Sequence, residues 1–197
     1  MKFILKIFLV ASILLNFSIS AESIPWKAFE SNGLYGFKNQ KGKIMLKPEY
    51  QMAFDFSNHS VAFVYKLTKW ICIDLKNTEL LEVVPYDNGP DYFSEKLARY
   101  IENRKTGYFD QKCKKVIPAN YDFGTPFENG FASVCNGCDS KKDGEHSSIV
   151  GGKYGMIDSK GKEVIPIEFD AIQSINIKKK IATVLKGSQS QRIPFSK

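Results

Sequence analysis

The sequence predicts an all-β protein, a tandem array of three-stranded antiparallel β-meander repeats arranged as a solenoid or as an open, propeller-like assembly. Two observations carry this reading. One pattern recurs four times, and within each copy the apolar residues alternate with the period of a strand. The segment KYGMIDSKGKEVIPIEFD (153–170) is echoed by KTGYFDQKCKKVIPANYD (105–122), by LYGFKNQKGKIMLKPEY (34–50) and, less closely, by KWICIDLKNTELLEVVPYD (69–87). Placing Tyr35, Trp70, Thr106 and Tyr154 in one column gives spacings of 35, 36 and 48 residues. A second column stays in register with the first: Val61-Ala62-Phe63-Val64, Leu97-Ala98-Arg99-Tyr100, Phe131-Ala132-Ser133-Val134 and Ile181-Ala182-Thr183-Val184.

Each copy reads as three strands. The first carries the aromatic-Gly column and alternates up to Asp158, the turn falls at Ser159-Lys160-Gly161, and Val164-Ile165 resumes an extended run that Pro166 ends, as Pro48 and Pro118 end theirs. The third is the Ala-containing strand after a longer loop. Ser94–Tyr100 is the one stretch with a helical argument, and its column position favours strand. A lone meander buries too little apolar surface, so stacking of neighbours has to supply the core. The copies span about 33–65, 66–100, 102–135 and 152–187 of a single domain, 22–197, with an inserted loop at 136–151.

The pattern around KYGMIDSKGKEVIPIEFD and FENGFASV resembles the WG repeat, also called the KWG repeat, a bacterial β-repeat whose signature is Trp-Gly, an apolar-Ile-Asp strand and a Gly-Lys turn. The resemblance runs from about Gly33 to Gly187. The signature pair reads Tyr35-Gly36, Trp70-Ile71, Thr106-Gly107 and Tyr154-Gly155 here, so no copy keeps Trp-Gly intact. Such repeats imply a non-catalytic interaction module.

Residues 1–21, MKFILKIFLVASILLNFSISA, have the parts of an export signal: Lys2 and Lys6, an apolar stretch over Ile7–Leu15, and small residues at the cleavage zone. The apolar stretch is shorter than the roughly 20 residues of a spanning helix. Periplasmic or secreted localisation follows as an expectation, with no transmembrane segment after cleavage. Of a formal charge of +7, about +5 stays on the mature chain. The charges are scattered, and the densest basic run, Lys178-Lys179-Lys180, is too short for a binding tail. Nucleic acid is not an expected partner.

Carboxylates recurring at Asn39, Asp74, Asp110 and Asp158 could suggest metal or catalysis. An Asx residue before a tight turn instead accepts that turn's backbone N–H groups, and Gly42, Gly161 and Asn77 then supply the left-handed conformation. No metal or cofactor site is expected. In VCNGCD, Cys135 and Cys138 flank Asn136-Gly137, a dipeptide that favours a two-residue hairpin turn. In an oxidising compartment they are read as a disulfide. Zinc, with His146 and Cys72 or Cys113 completing the set, and free or redox-active thiols are the alternatives. Cys113 stands five residues further from its column aromatic than Cys72. At about 3.3 Å per residue that is roughly 16 Å, beyond the roughly 7 Å that a disulfide spans. Cys72 is therefore expected as a buried thiol and Cys113 as an exposed one.

His59 and His146 sit among polar neighbours, and no nucleophile-elbow, zincin or phosphate-loop motif accompanies them. The reading is an exported non-catalytic binding protein that contacts another protein or an envelope component, with Asp143, Glu145 and His146 of the inserted loop as the candidate contact. A periplasmic immunity or inhibitor protein is one specific form of it. An envelope hydrolase or metal-dependent enzyme using His146 and neighbouring carboxylates is the contrasting alternative.

Overall fold

The computed structural model describes residues 26–144 and 146–196; the expected export signal at 1–21 lies outside the described residues. Strands and turns account for the regular structure, with no helix among the described residues. An Ala strand (Lys27–Ser31, Val61–Lys66, Leu97–Glu102, Phe131–Asp143, Ile181–Lys186) turns back through a hairpin into a Gly strand (Leu34–Lys38, Lys69–Asp74, Lys105–Asp110, His146–Asp158, Gln189–Pro194). A second turn leads four of these into a Pro strand (Ile44–Tyr50, Glu79–Val83, Lys115–Tyr121, Glu163–Phe169). A lead strand (Met52–Ala53, Phe123–Gly124, Ala171–Asn176) pairs with the outer edge of three of the Ala strands.

The three-stranded antiparallel meander is thus present, starting one strand earlier than the sequence copies do. The Ala strand that closes one copy opens the hairpin of the next, so every copy straddles two sheets. The register is constant: Ala62 faces Ile73, Ala98 faces Phe109, Ala132 faces Ile157 and Ala182 faces Ile193. All four alanines are buried. In the first hairpin Lys27 stands opposite Lys38 in that place.

The glycine column has a steric cause. The ladder between Gly and Pro strands slips at Tyr35/Phe37, Thr106/Tyr108 and Tyr154/Met156, and the slip lays the Pro strand over the glycine. A Cβ on Gly107 would lie 2.6 Å from the Ile117 carbonyl oxygen and 2.7 Å from the Ala119 nitrogen. Gly36 and Gly155 face Leu46 and Ile165 carbonyl oxygens equally closely. Pro48, Pro118 and Pro166 therefore do not end strands. They lie inside them at the irregularity, where a missing N–H costs no ladder bond.

The second copy lacks both devices. Ile71 takes the glycine position, Glu79–Val83 has no proline, and the slip moves to Cys72/Ile73. Its third strand then continues into pairing with the next Ala strand, Tyr100 with Val83 and Ile101 with Glu82. The second and third meanders fuse into one seven-stranded sheet, while their neighbours remain separate.

The core is a row of four clusters; the first, third and fourth join neighbouring sheets, and the second packs within the fused seven-stranded sheet. Phe37, Tyr50, Phe56 and Val64 fill the first, Trp70, Leu81, Tyr100 and Phe109 the second, Tyr108, Ile117, Phe127 and Val134 the third, and Met156, Ile165, Phe169 and Val184 the fourth. Nearest-neighbour packing of this kind is what holds a repeat array together.

Cys72 and Cys113 correct the sequence expectation. They form a disulfide, with Cα atoms 6.5 Å apart, and both are buried. Their Gly strands lie three antiparallel steps apart in the seven-stranded sheet and so run in opposite directions. Residues counted forward from each column aromatic therefore do not add along a common axis. Cys113 also sits in the turn after its strand, at φ +56°, and folds back toward the core.

Candidate functional site: the ribbon at 138–151

Four hairpin tips are tight turns, with positive φ at Asn32 and Gly33, Leu67 and Thr68, Asn103 and Arg104, and at Gly187. The fourth hairpin is different. Its Ala and Gly strands are thirteen residues each, against five or six elsewhere. Counted from Ala132, the turn position falls on Gly137 and on Gly152 opposite it, the one position that the ladder skips, and both hold φ +73°. Residues 138–151 are thus inserted between the two halves of a turn whose backbone conformation survives. A Cβ on Gly152 would meet the Asn136 carbonyl oxygen at 2.7 Å, so the crossing needs glycine for space as well as for φ.

The expected irregular loop is therefore an antiparallel ribbon, paired without interruption from Cys138 with Gly151 to Asp143 with His146. Six residues per strand carry it roughly 20 Å beyond the turn position. Asn136-Gly137 does not close a hairpin, because the chain continues in strand through it. Cys135 and Cys138 are joined by a disulfide along one strand, Cα atoms 6.1 Å apart, at the ribbon's foot. With both cysteine pairs in disulfides and no free cysteine, the thiolate set proposed for zinc is not formed.

Of the residues singled out in the sequence, Asp143 and His146 are ladder partners at the ribbon's end; Glu145 lies outside the described residues. His59 is remote from them, in the exposed loop before Val61, with its N–H donating to Ser57 Oγ at 3.2 Å. The recurring Asx residues build turns. Asn39 Oδ1 accepts from the N–H groups of Lys41 and Lys43, both at 3.0 Å; Asp74 Oδ1 from Lys76 and Thr78, both at 2.8 Å; Asp110 Oδ1 from Lys112 and Lys114, both at 2.9 Å; and Asp158 Oδ1 from Lys160 and Lys162 at 2.9 and 3.0 Å. Gly42, Asn77, Cys113 and Gly161 hold the left-handed position that follows. The N–H groups of Thr78 and Lys76 hold the Asp74 carboxyl below its ordinary range.

Sequence reasoning missed a second recurring carboxylate, the Asp after the aromatic that ends a Pro strand. Asp122 accepts from Lys105 Nζ at 2.6 Å and from the Gly137 N–H at 2.7 Å; Asp170 accepts from Lys153 Nζ at 2.5 Å and from the Gly187 N–H at 2.6 Å. The lysine in each case, then the glycine N–H, lowers the carboxyl's pKa. Gly137 and Gly187 being held alike is independent support for their equivalence as tip residues. The signal was the Tyr121-Asp122 and Phe169-Asp170 column. Beside the ribbon's foot lie two open grooves of about 530 and 520 Å³, one walled by Arg104, Lys105 and Asp139, the other by Tyr154, Asp170 and Ile172.

The family model described as WG containing repeat matches residues 35–70, 107–137 and 154–188, just over half of the chain. The chain belongs to the WG-repeat family. The WG-repeat matches take in Gly36, Gly107 and Gly155 and leave out 71–106, the stretch that begins with Ile71. Its departure from the WG pattern and its fused sheet have the same cause, the absent glycine and proline. No curated protein matches the chain significantly.

Proposed function

We propose that this WG-repeat protein is an exported, non-catalytic binding protein that contacts another protein or an envelope component through the ribbon at 138–151. The observation that carries the reading is that one hairpin tip, alone among the five, is extended into a ribbon fixed at its foot by a disulfide and by Asp122. A two-stranded ribbon has marginal stability by itself, and irregular or projecting elements on rigid strands are where binding concentrates. Two disulfides suit an oxidising compartment. Engagement of the recurring carboxylates by backbone N–H groups supports a building role for them over a catalytic one.

The test is deletion of 138–151 with Cys135→Ala, which joins Gly137 directly to Gly152 and restores a two-residue, positive-φ tip. The variant is expected to fold and to lose crosslinked partners that the intact protein retains from an envelope extract. Identical partner sets for the two proteins would refute the ribbon's role.

A further inference from the structure

The second copy makes an excursion that the others lack, a small hairpin of Pro85–Tyr86 with Gly89–Pro90, leading to Asp91 and Tyr92. It leaves two tyrosine rings in solvent, Tyr86 at 53% and Tyr92 at 48% exposure, braced edge to face with centroids 5.0 Å apart. Tyr92 forms one wall of a groove of about 460 Å³, at the opposite end of the fourth hairpin from its ribbon. Phe127, Phe131 and Met156, all buried, back the groove, and Ile175 and Ile177 are its more exposed apolar lining. Glu128 and Asn129 are exposed at its rim.

The walls are held by a buried ion pair. Asp91, adjacent to Tyr92, is 2% exposed and accepts from Arg99 Nε at 2.9 Å, Nη2 at 2.7 Å and the Arg99 N–H at 2.8 Å. Arg99 Nη1 also donates to the carbonyl of Gly124 at 3.0 Å, where the chain enters the loop carrying Glu128 and Asn129. Burying such a pair is costly, and apolar residues of the same volume often stabilise as well. Here the pair fixes Tyr92 to the loop across the groove.

Charge decides the ligand class. Glu128 is the one carboxylate in the described lining, which contains no lysine or arginine, and this disfavours an anion. The net positive charge, about +5 once residues 1–21 are set aside, disfavours a cation. A neutral ligand with a flat apolar face and many hydroxyl groups fits what remains: the face against the Tyr92 ring, hydroxyls donating to Glu128 and accepting from the Asn129 amide. We infer that this groove binds a neutral oligosaccharide, with Tyr92 as its stacking platform and Glu128 and Asn129 as its hydrogen-bonding rim. The volume, inside the usual range of small-ligand sites, accommodates about two or three hexose units.

The test titrates the full mature protein with four neutral trisaccharides, cellotriose, maltotriose, mannotriose and triacetylchitotriose, following backbone amide chemical shifts. At least one is expected to give saturable shifts centred on Tyr92, Glu128 and Asn129, with a Kd of about 1 mM or tighter. Tyr92→Ala should weaken that binding about tenfold and Tyr92→Phe should keep it within about twofold, since the ring supplies the contact. Glu128→Ala, in an exposed turn, is a second variant expected to weaken it about fivefold. Removal of 138–151 should leave the affinity unchanged, which separates this site from the ribbon. No saturable shift with any of the four sugars, or binding that both Tyr92→Ala and Glu128→Ala retain in full, overturns the inference.

Discussion

The second and third meanders are joined by backbone, whereas the third and fourth meet only through side chains. At the first junction Val83 and Glu82 pair with Tyr100 and Ile101, and the Cys72–Cys113 disulfide spans the same sheet. At the second, Tyr108, Phe127, Val134 and Ile157 pack across a gap that no strand bridges. The difference traces to two residue types. Where glycine and proline occupy their columns, the Pro strand buckles and its sheet ends there; where Ile71 stands instead, the strand runs on and recruits its neighbour. The proline column thus doubles as edge protection.

The fused junction can be broken most severely at its disulfide. Replacing both Cys72 and Cys113 by Ala opens a crosslink of 41 residues' separation, and about 4 kcal/mol of stability should go with it on the chain-entropy account. Cys113→Gly in place of Cys113→Ala should recover about 1 kcal/mol, because the position is left-handed. Urea unfolding of the two double variants measures both quantities.

Gly107→Ala tests the unfused design. Its Cβ meets backbone on the Pro strand, so a loss of about 3 kcal/mol is expected from overpacking. Gln191 occupies the same column in the last hairpin, which has no Pro strand over it, and Gln191→Ala should change stability by under about 0.5 kcal/mol. Comparable losses at the two positions would show that the column glycine is not there for the close approach.

A smaller effect is expected at the Asx turns, which both kinds of copy share. Asp158→Ala removes the side-chain acceptor of two backbone N–H groups and should cost about 1.5 kcal/mol. Asp158→Asn should be close to neutral, since Asn39 makes the same two bonds. Thermal melts of the pair would decide it.

The smallest effect concerns pH at the ribbon's foot. Asp122 has its pKa lowered by Lys105 and the Gly137 N–H, so its contribution is present above the ordinary carboxylate range and is lost as pH falls through the depressed value. Relative to its intrinsic rate, hydrogen exchange at the Gly137 amide should quicken as pH falls below the ordinary carboxylate range, while that of the Asx-turn amide of Lys43, whose acceptor is Asn39, should follow only the intrinsic exchange rate.

Much of this architecture was legible in the sequence, because columns such as Asp158 and Ala182 report conditions that every copy must meet. The Asx column announced its turns and the Ala column its buried contacts. What failed were the inferences that crossed columns. Cys72 and Cys113 were compared along the chain, yet their strands run in opposite directions. Asn136-Gly137 did mark a turn position, but nothing in DSKKDGEHSSIV shows the alternation of a half-buried strand, since the ribbon has no core beneath it. The Asp91–Arg99 pair occurs once and left no periodic trace, and the groove it shapes was invisible for the same reason.

Between Gly137 and Gly152 the chain has in effect a socket. Fourteen residues enter and leave through two glycines that keep the turn's backbone conformation, and the ladder on the core side continues in unchanged register. Cys138–Asp143 pairs with His146–Gly151 in the same register as the ladder below the two glycines, so each strand keeps its faces on passing through them. Length and content beyond the socket are thereby uncoupled from the repeats that support them, so ribbons of other lengths that keep this register could be exchanged at this point without disturbing the array.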